Sequence, residues 1–115
     1  PTLNMFDALI AYDTFGFELW PLDGKIIRLS ELEAPISVRA FVRRPVVSVS
    51  FFLDDIFVDN ESVVPYYIWS QDVLNNPYGY APLTELGDHT VTVIAYGSAD
   101  SELGTRSASF SVILN

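Results

Sequence analysis

The feature that most constrains the fold of this chain is a repeated alternation of apolar and polar residues. The alternation is clearest in residues 36–40, 47–51, 89–93 and 108–112. Successive side chains of a β-strand point to opposite faces, so this pattern indicates strands with one buried face and one solvated face. A surface helix would instead need apolar residues every third or fourth position, and no stretch of useful length has that spacing. The sequence therefore predicts an all-β fold.

Turn residues divide the alternating stretches into short segments. Strands are predicted over 36–42, 46–53, 89–96 and 106–114, and Asp54-Asp55 is predicted to form a turn after the second of them. About seven to nine such strands favour an immunoglobulin-like antiparallel β-sandwich. Residues 1–115 are expected to form a single domain, because a chain of this length can bury a core without disulfides. The predicted core residues are Val38, Ala40, Val47, Val49, Phe51, Val91, Val93, Ala95, Phe110 and Val112.

One pair of residues predicts a particular connection near the start of the chain. Asp23-Gly24 stands between the apolar stretches 17–20 and 25–29. Asp and Gly both tolerate the positive φ angles of a tight two-residue turn. We therefore expect 17–20 and 25–29 to pair as a β-hairpin.

The remaining segments are assigned from their breaker and polar residues. A single helical turn capped by Ser30 is predicted over 30–33, because a proline follows shortly after and prevents a longer helix. Segment 63–69 is apolar but contains a proline, which lacks an amide donor, so it is predicted as an edge strand. The polar segments 59–62 and 97–105 are predicted as surface turns.

Composition excludes several classes of function. The chain has no cysteine, so it holds neither disulfides nor thiolate metal sites. Its net charge of −9 opposes binding to nucleic acids and to anionic membranes. No stretch approaches the roughly 20 apolar residues of a membrane-spanning helix. Because it begins at Pro1 without a leader or an initiator methionine, we expect it to be a segment of a longer protein.

Four stretches of the sequence carry a resemblance to a known family. Residues 47–55 (VSVSFFLDD), 64–66 (VPY) and 86–96 (LGDHTVTVIAY) are similar in order and spacing to V-x-F-x-L-D-G, A-P-Y and G-x-H-T-L-T-x-x-A patterns. Residues 20–32 are similar to a P-L-x-D-G-x-x-I-x-L-x-x-L opening. The chain thus resembles the bacterial immunoglobulin-like (Big-type) domains of extracellular and cell-surface proteins, although Asp55 stands where the pattern has glycine.

The resemblance implies a noncatalytic role outside the cell. Domains of this family act as spacers and display units in adhesins, surface-layer proteins and polysaccharide-acting enzymes, sometimes contact a ligand, and share no active site. We therefore expect a structural or adhesion module, one unit of a longer multidomain or fibrous protein, whose partners are neighbouring domains or copies of itself. The alternative is a carbohydrate-binding accessory module of a polysaccharide-acting enzyme.

The titratable residues are weighed first as possible catalytic groups. His89 is the only histidine, and no nucleophile motif accompanies it, so we expect its ring to bond a neighbouring loop. The carboxylate pairs Asp54/Asp55 and Asp100/Glu102 could serve a glycosidase only across a cleft, for which a small sandwich has little room. We expect these acids to be turn residues and the protein not to be an enzyme.

Calcium is a second possibility, because this cation takes six to eight oxygen ligands and the chain is acidic. The side chains considered all fall in predicted loops, and no EF-hand spacing is present. Solvated loop acids are the alternative, and no other cofactor is expected. The candidate ligands are Asp59, Glu61, Asp72 and Asp88, with Asp13 and Asn60 beside them.

Large aromatic residues are the candidates for contact with a ligand or partner. Five of them surround the irregular segment 70–83, where exposed rings next to polar groups would suit stacking on sugars; these are Tyr66, Tyr67, Trp69, Tyr78 and Tyr80. Trp20 and Phe52 are predicted to point away from the core and so to meet a neighbouring domain or copy. Arg39, Arg43 and Arg44 are half of the basic residues and could contact an acidic surface head to tail.

Overall fold

The computed structural model describes residues 5–98 and 101–115, and their strands form two sheets. The four-stranded sheet has the order β2-β1-β4-β7, and the five-stranded sheet has the order β3-β9-β8-β5-β6. The strands are β1 (Phe6–Asp13), β2 (Glu18–Pro21), β3 (Ile26–Arg28), β4 (Ile36–Val42), β5 (Ser48–Leu53), β6 (Ile56–Glu61), β7 (Tyr66–Tyr67), β8 (Gly87–Ser98) and β9 (Ser101–Ile113). Two 3-10 turns, Leu29–Glu31 and Ala81–Thr84, lie between strands. The predicted β-sandwich is confirmed.

The core lies between the two sheets, on the faces that the alternation predicted. In β5 and β8, Val49 pairs with Ala95 and Phe51 with Val93, and all four side chains are fully buried. Nine of the ten predicted core residues are buried. The exception is Val47, which is 56% exposed, and its prediction was wrong because β5 begins only at Ser48.

The predicted hairpin at Asp23-Gly24 is not present. β2 pairs with β1, whereas β3 runs parallel to β9 in the other sheet, so residues 22–25 cross from one layer to the other. The turn itself is tight, with Gly24 at φ +77° and its amide donating to the Ser109 carbonyl at 2.7 Å. Leu22 is fully buried and fixes the crossing in the core. The turn residues were identified correctly, and the strand partners were not.

Three boundary predictions also need correction. Segment 59–62 is not a turn, because β6 continues through Glu61. Within 97–105, β8 extends to Ser98 and β9 begins at Ser101, so most of this segment is strand, while residues 99–100 lie outside the described residues. The 3-10 turn Leu29–Glu31 has no side-chain cap, so Ser30 does not cap it.

Two other predictions from turn chemistry agree with the structure. Asp54 and Asp55 have φ angles of 51° and 65° and join the paired residues Leu53 and Ile56, which is the geometry of a type I′ hairpin. The edge strand predicted in 63–69 is present as β7, although it comprises only two residues at the edge next to β4. Among residues 5–98 and 101–115, no helix has the length and apolar character needed to cross a membrane.

Candidate functional site

One end of the sandwich is shaped by the turn between β1 and β2. The Asp13 carboxylate accepts hydrogen bonds from the amides of Phe15 and Phe17, each at 2.9 Å, and Gly16 between them has φ +86°. A short acidic side chain that caps its own turn in this way fixes the loop locally. The turn leaves Phe15 72% exposed and Phe17 70% exposed. Two large apolar side chains are therefore held out in solvent by a bonded loop.

The loop 70–80 lies beside that turn and has a similar construction. The Asp72 carboxylate accepts hydrogen bonds from the amides of Leu74 and Asn76 at 2.9 and 3.0 Å. Val73 and Leu74 at its tip are 99% and 77% exposed. The loops are neighbours, because Gly16 lies against the Asn76 side chain and Gly79 lies against Thr14. We call the four exposed side chains Phe15, Phe17, Val73 and Leu74 the apolar end.

A cleft of about 410 Å³ opens beside the apolar end, between the β1–β2 turn and the connector that precedes β4. Phe15, Leu19 and Trp20 line it with apolar surface. The three carboxylates in its lining are those of Asp13, Glu31 and Glu33. We call this feature the acidic cleft.

Sequence reasoning did not identify most of the acidic cleft. Asp13 was considered only as a calcium ligand, and Trp20 only as an outward-facing contact. Phe15, Glu31 and Glu33 were not considered as site residues. Their signal was present, because phenylalanines on both sides of a turn glycine are too apolar for an ordinary solvated turn.

The predicted aromatic contact residues divide into buried and accessible ones. Tyr66 and Tyr67 are 6% and 2% exposed, and Tyr67 packs edge-on against Tyr12 at 5.6 Å. Neither ring offers a face to a ligand. Trp69 is 44% exposed and packs against Tyr80 with ring centroids 5.0 Å apart, and Tyr78 is 51% exposed. Trp69 and Tyr78 therefore remain accessible around the loop 70–80, whereas Tyr80 is partly buried against the core.

Trp20 and Phe52 are both half-buried, on different sheets. Trp20 lines the acidic cleft, and the Lys25 ammonium lies 4.8 Å from the centre of its ring. Phe52 pairs edge-on with Phe57 at 5.7 Å, and Phe57 is 57% exposed. The structure therefore does not bring Trp20 and Phe52 into one contact surface.

The predicted calcium ligands do not come together at one site in the structure. Asp59 and Glu61 lie together on β6, where burial, followed by the hydrogen bond and charge of Asp59, raises the pKa of Glu61 to about 7. Asp88 accepts a hydrogen bond from the Ser111 hydroxyl at 2.7 Å, and Asp72 is used in its own loop. Within the part of the chain that the structure describes, no three metal-ligating side chains converge. A calcium site remains a prediction from composition.

His89 is 8% exposed and both ring nitrogens are engaged. Nδ1 lies 2.6 Å from the Asp54 carboxylate, and Nε2 lies 2.7 Å from the Glu85 carbonyl oxygen. Both partners only accept hydrogen bonds, so both nitrogens must donate, which requires the protonated ring. Burial alone would lower the pKa of His89, but the bonds to Asp54 and Glu85 outweigh it and raise the pKa. The ring bonds a neighbouring loop, as the sequence predicted.

Comparison with known proteins identifies the fold. No protein-family model matches the sequence, and no curated protein matches it. Among solved structures, a Clostridium thermocellum CbhA fibronectin(III)-like module is similar to this chain with a TM-score of 0.53 and 18% sequence identity. The match covers 82% of this chain and 91% of that chain. The chain thus has the immunoglobulin-like β-sandwich fold of fibronectin(III)-like modules, while membership of the Big-type family remains a prediction.

Proposed function

We propose that this protein is a noncatalytic association module of an extracellular or cell-surface multidomain protein. The observation that carries the proposal is the apolar end, where two bonded loops hold Phe15, Phe17, Val73 and Leu74 in solvent. Large apolar side chains exposed together on neighbouring loops are typical of protein–protein contact sites. Its partner surface would lie on a neighbouring domain or on another copy of the chain.

Two further observations support this role. The only histidine is committed to holding the β5–β6 turn against the segment before β8, so its nitrogens are occupied within the fold. The fold is also shared with a protein described as a fibronectin(III)-like module, a term used for units within larger proteins. The extracellular setting follows from the Big-type resemblance and is part of the proposal.

A carbohydrate-binding accessory module is the second candidate. Trp69 is 44% exposed and packs against Tyr80, and Tyr78 is half-exposed in the same loop. Accessible aromatic rings beside amide and carboxylate groups are suited to stacking on sugar rings and bonding their hydroxyls. In this role the loop 70–80, and not the apolar end, would be the binding surface.

A glycan panel distinguishes the two candidates. The panel is probed with the wild-type protein, with Trp69→Ala and with Phe57→Ala. Phe57→Ala is a matched control that removes an exposed ring from β6 of the five-stranded sheet. The association module predicts that no glycan retains any of the three proteins. Retention that Trp69→Ala abolishes and Phe57→Ala preserves would overturn the proposal in favour of carbohydrate binding.

A further inference from the structure

The acidic cleft and a basic turn lie at opposite ends of β4. Ile36, the first residue of β4, lines the cleft and pairs with Asp13. Val42, the last residue, pairs with Phe6 at the other end of β1 and is followed by Arg43 and Arg44. A strand of this length spans about 20 Å. The two features are therefore separated by the length of the strand and cannot meet within one molecule.

Arg44 is the one basic side chain without a partner inside the protein, among the residues that the structure describes. Arg43, its neighbour, is paired with Asp7 at 2.6 Å. The other four also have partners: Lys25 lies over Trp20, Arg28 bonds the Asn115 carbonyl, Arg39 lies over Phe41, and Arg106 bonds the Phe6 carbonyl. Arg44 is exposed, and the nearby Val47 is 56% exposed. We call residues 43–47 the basic turn.

The acidic cleft has the groups that an arginine side chain needs. A guanidinium bonds carboxylates through a planar fork of donors and also stacks on aromatic faces. The cleft offers the rings of Phe15 and Trp20 and the carboxylate of Glu33, which has no partner among the described residues. Of the other two carboxylates, that of Asp13 bonds its own turn and that of Glu31 lies 3.9 Å from Arg28. The same sandwich already places the Arg39 guanidinium 4.3 Å from the centre of the Phe41 ring. An apolar residue beside the arginine, such as Val47, would cover part of the exposed aromatic surface.

We propose that the acidic cleft binds the basic turn of a second copy of this chain, with Arg44 entering between Glu33 and the rings of Phe15 and Trp20. This inference rests on the proposed association role and names a partner for the acidic cleft, which shares Phe15 with the apolar end. The contact joins two different surfaces, so it is head-to-tail, and each copy keeps one free cleft and one free turn. Repeating the contact gives a linear array of sandwiches. Charge complementarity selects this arrangement, because a chain of net charge −9 repels its copies elsewhere.

Sedimentation velocity of paired charge reversals tests the proposal. The wild-type protein is compared with Arg44→Glu, with Glu33→Arg and with Glu85→Arg, a control that makes the same charge change outside the cleft lining. We expect the sedimentation coefficient of the wild-type protein to rise with concentration and to do so less at high salt. Arg44→Glu alone and Glu33→Arg alone should remain monomeric, and Glu85→Arg should associate like the wild type. Circular dichroism melting checks that each variant is folded.

An equimolar mixture of Arg44→Glu and Glu33→Arg is the decisive sample. In the mixture, Glu at position 44 of one variant meets Arg at position 33 of the other, and the second variant's Arg44 meets an unchanged cleft. Association should therefore return to at least half of the wild-type level. Monomeric wild-type protein, association of Arg44→Glu alone, or a mixture that stays monomeric would each overturn the proposed docking.

The glycan panel distinguishes a failure of the proposed docking from a failure of the proposed function. Monomeric protein that no glycan retains would exclude the second copy as partner and leave the association role with a different partner. Glycan retention lost in Trp69→Ala would replace association by carbohydrate binding as the proposed function, and sedimentation would still decide whether the acidic cleft binds the basic turn.

Discussion

His89 and Asp54 join two parts of the chain that are 35 residues apart through a contact of 2.6 Å. The other oxygen of Asp54 accepts a hydrogen bond from the Thr90 amide at 2.8 Å. The type I′ turn after β5 is thereby fixed to the beginning of β8. The sequence places an acid in the turn and a histidine at the strand entry, and the fold makes them one bonded unit.

Replacement of Asp54 by Asn should destabilise the protein. The change leaves the buried His89 ring without its charged partner, and a bond of this kind contributes about 1 kcal/mol when one partner is as exposed as Asp54. Urea unfolding at pH 6 measures the loss, with Asp55→Asn in the same turn as the control. Equal stability of Asp54→Asn and Asp55→Asn would contradict the structural role of the pair.

The same pair predicts a defined dependence of stability on pH. Burial raises the pKa of Asp54, but the hydrogen bonds from His89 and Thr90 outweigh it, and the pKa lies below its ordinary value of 3.8. The pKa of His89 lies above its ordinary value of 6.5. The stabilisation from His89 is therefore complete below about pH 6.5 and is lost as pH rises through the raised pKa. The stabilisation from Asp54 is lost as pH falls through its lowered pKa. The free-energy difference between the wild type and Asp54→Asn, measured by urea unfolding from pH 2 to pH 9, should be greatest between these limits.

Glu61 predicts a second loss of stability with rising pH, in the same direction as that of His89. Burial and the neighbouring Asp59 raise its pKa from 4.5 to about 7, so the folded state favours the protonated carboxyl. Stability from this group is complete below about pH 4.5 and decreases as pH rises through 7. Glu61→Gln removes that penalty and should stabilise the protein by about 2–3 kcal/mol more at pH 8 than at pH 4. A gain that does not change with pH would show that Glu61 titrates normally.

The core makes the largest contribution to stability that single substitutions can measure. Phe51 and Phe110 are 0% and 3% exposed between the sheets, so truncation of either to alanine should cost about 3–5 kcal/mol. Phe57→Ala removes the same ring from a position that is 57% exposed and should cost far less. Chemical unfolding of the three variants measures the difference. Similar losses at Phe51 and Phe57 would contradict the two-layer packing.

The loops of the apolar end should depend on their acidic side chains. Asp13→Ala removes the acceptor of the Phe15 and Phe17 amides, and Asp72→Ala removes the acceptor of the Leu74 and Asn76 amides. Amide hydrogen exchange should become faster at those positions in each variant and should stay unchanged in the other loop. If the loop amides of each variant exchanged at the wild-type rate, the carboxylates would not be what holds the loops.

Local patterns predicted the strands and the core, because a strand's alternation is contained in its own residues. Val49, Phe51 and Val93 could be placed correctly for that reason. The pairing of strands depends on distant residues, which explains the error at Asp23-Gly24: its turn bonds Ser109 of β9, and no local signal identifies that partner.

The candidate site was less predictable than the core. The acidic cleft combines Asp13 with Glu31 and Glu33, which become neighbours only when β1 pairs with β4. Tyr66 and Tyr67 illustrate the opposite problem, because their sequence suits a binding loop, whereas the structure buries Tyr66 in the core and packs Tyr67 against Tyr12. Whether a large side chain is exposed depends on which other elements pack against it. The alternation within a strand does not specify those elements.

The most direct test of the interaction surface is a concentration series of ¹⁵N amide spectra of the wild-type protein. The account predicts shifts confined to residues 13–20 and 31–36 of the acidic cleft, to the neighbouring residues 73–74 of the apolar end and to residues 43–47 of the basic turn as the protein is concentrated. Shifts centred on Phe52 and Phe57, on the edge strand β7, or at no residue would contradict it.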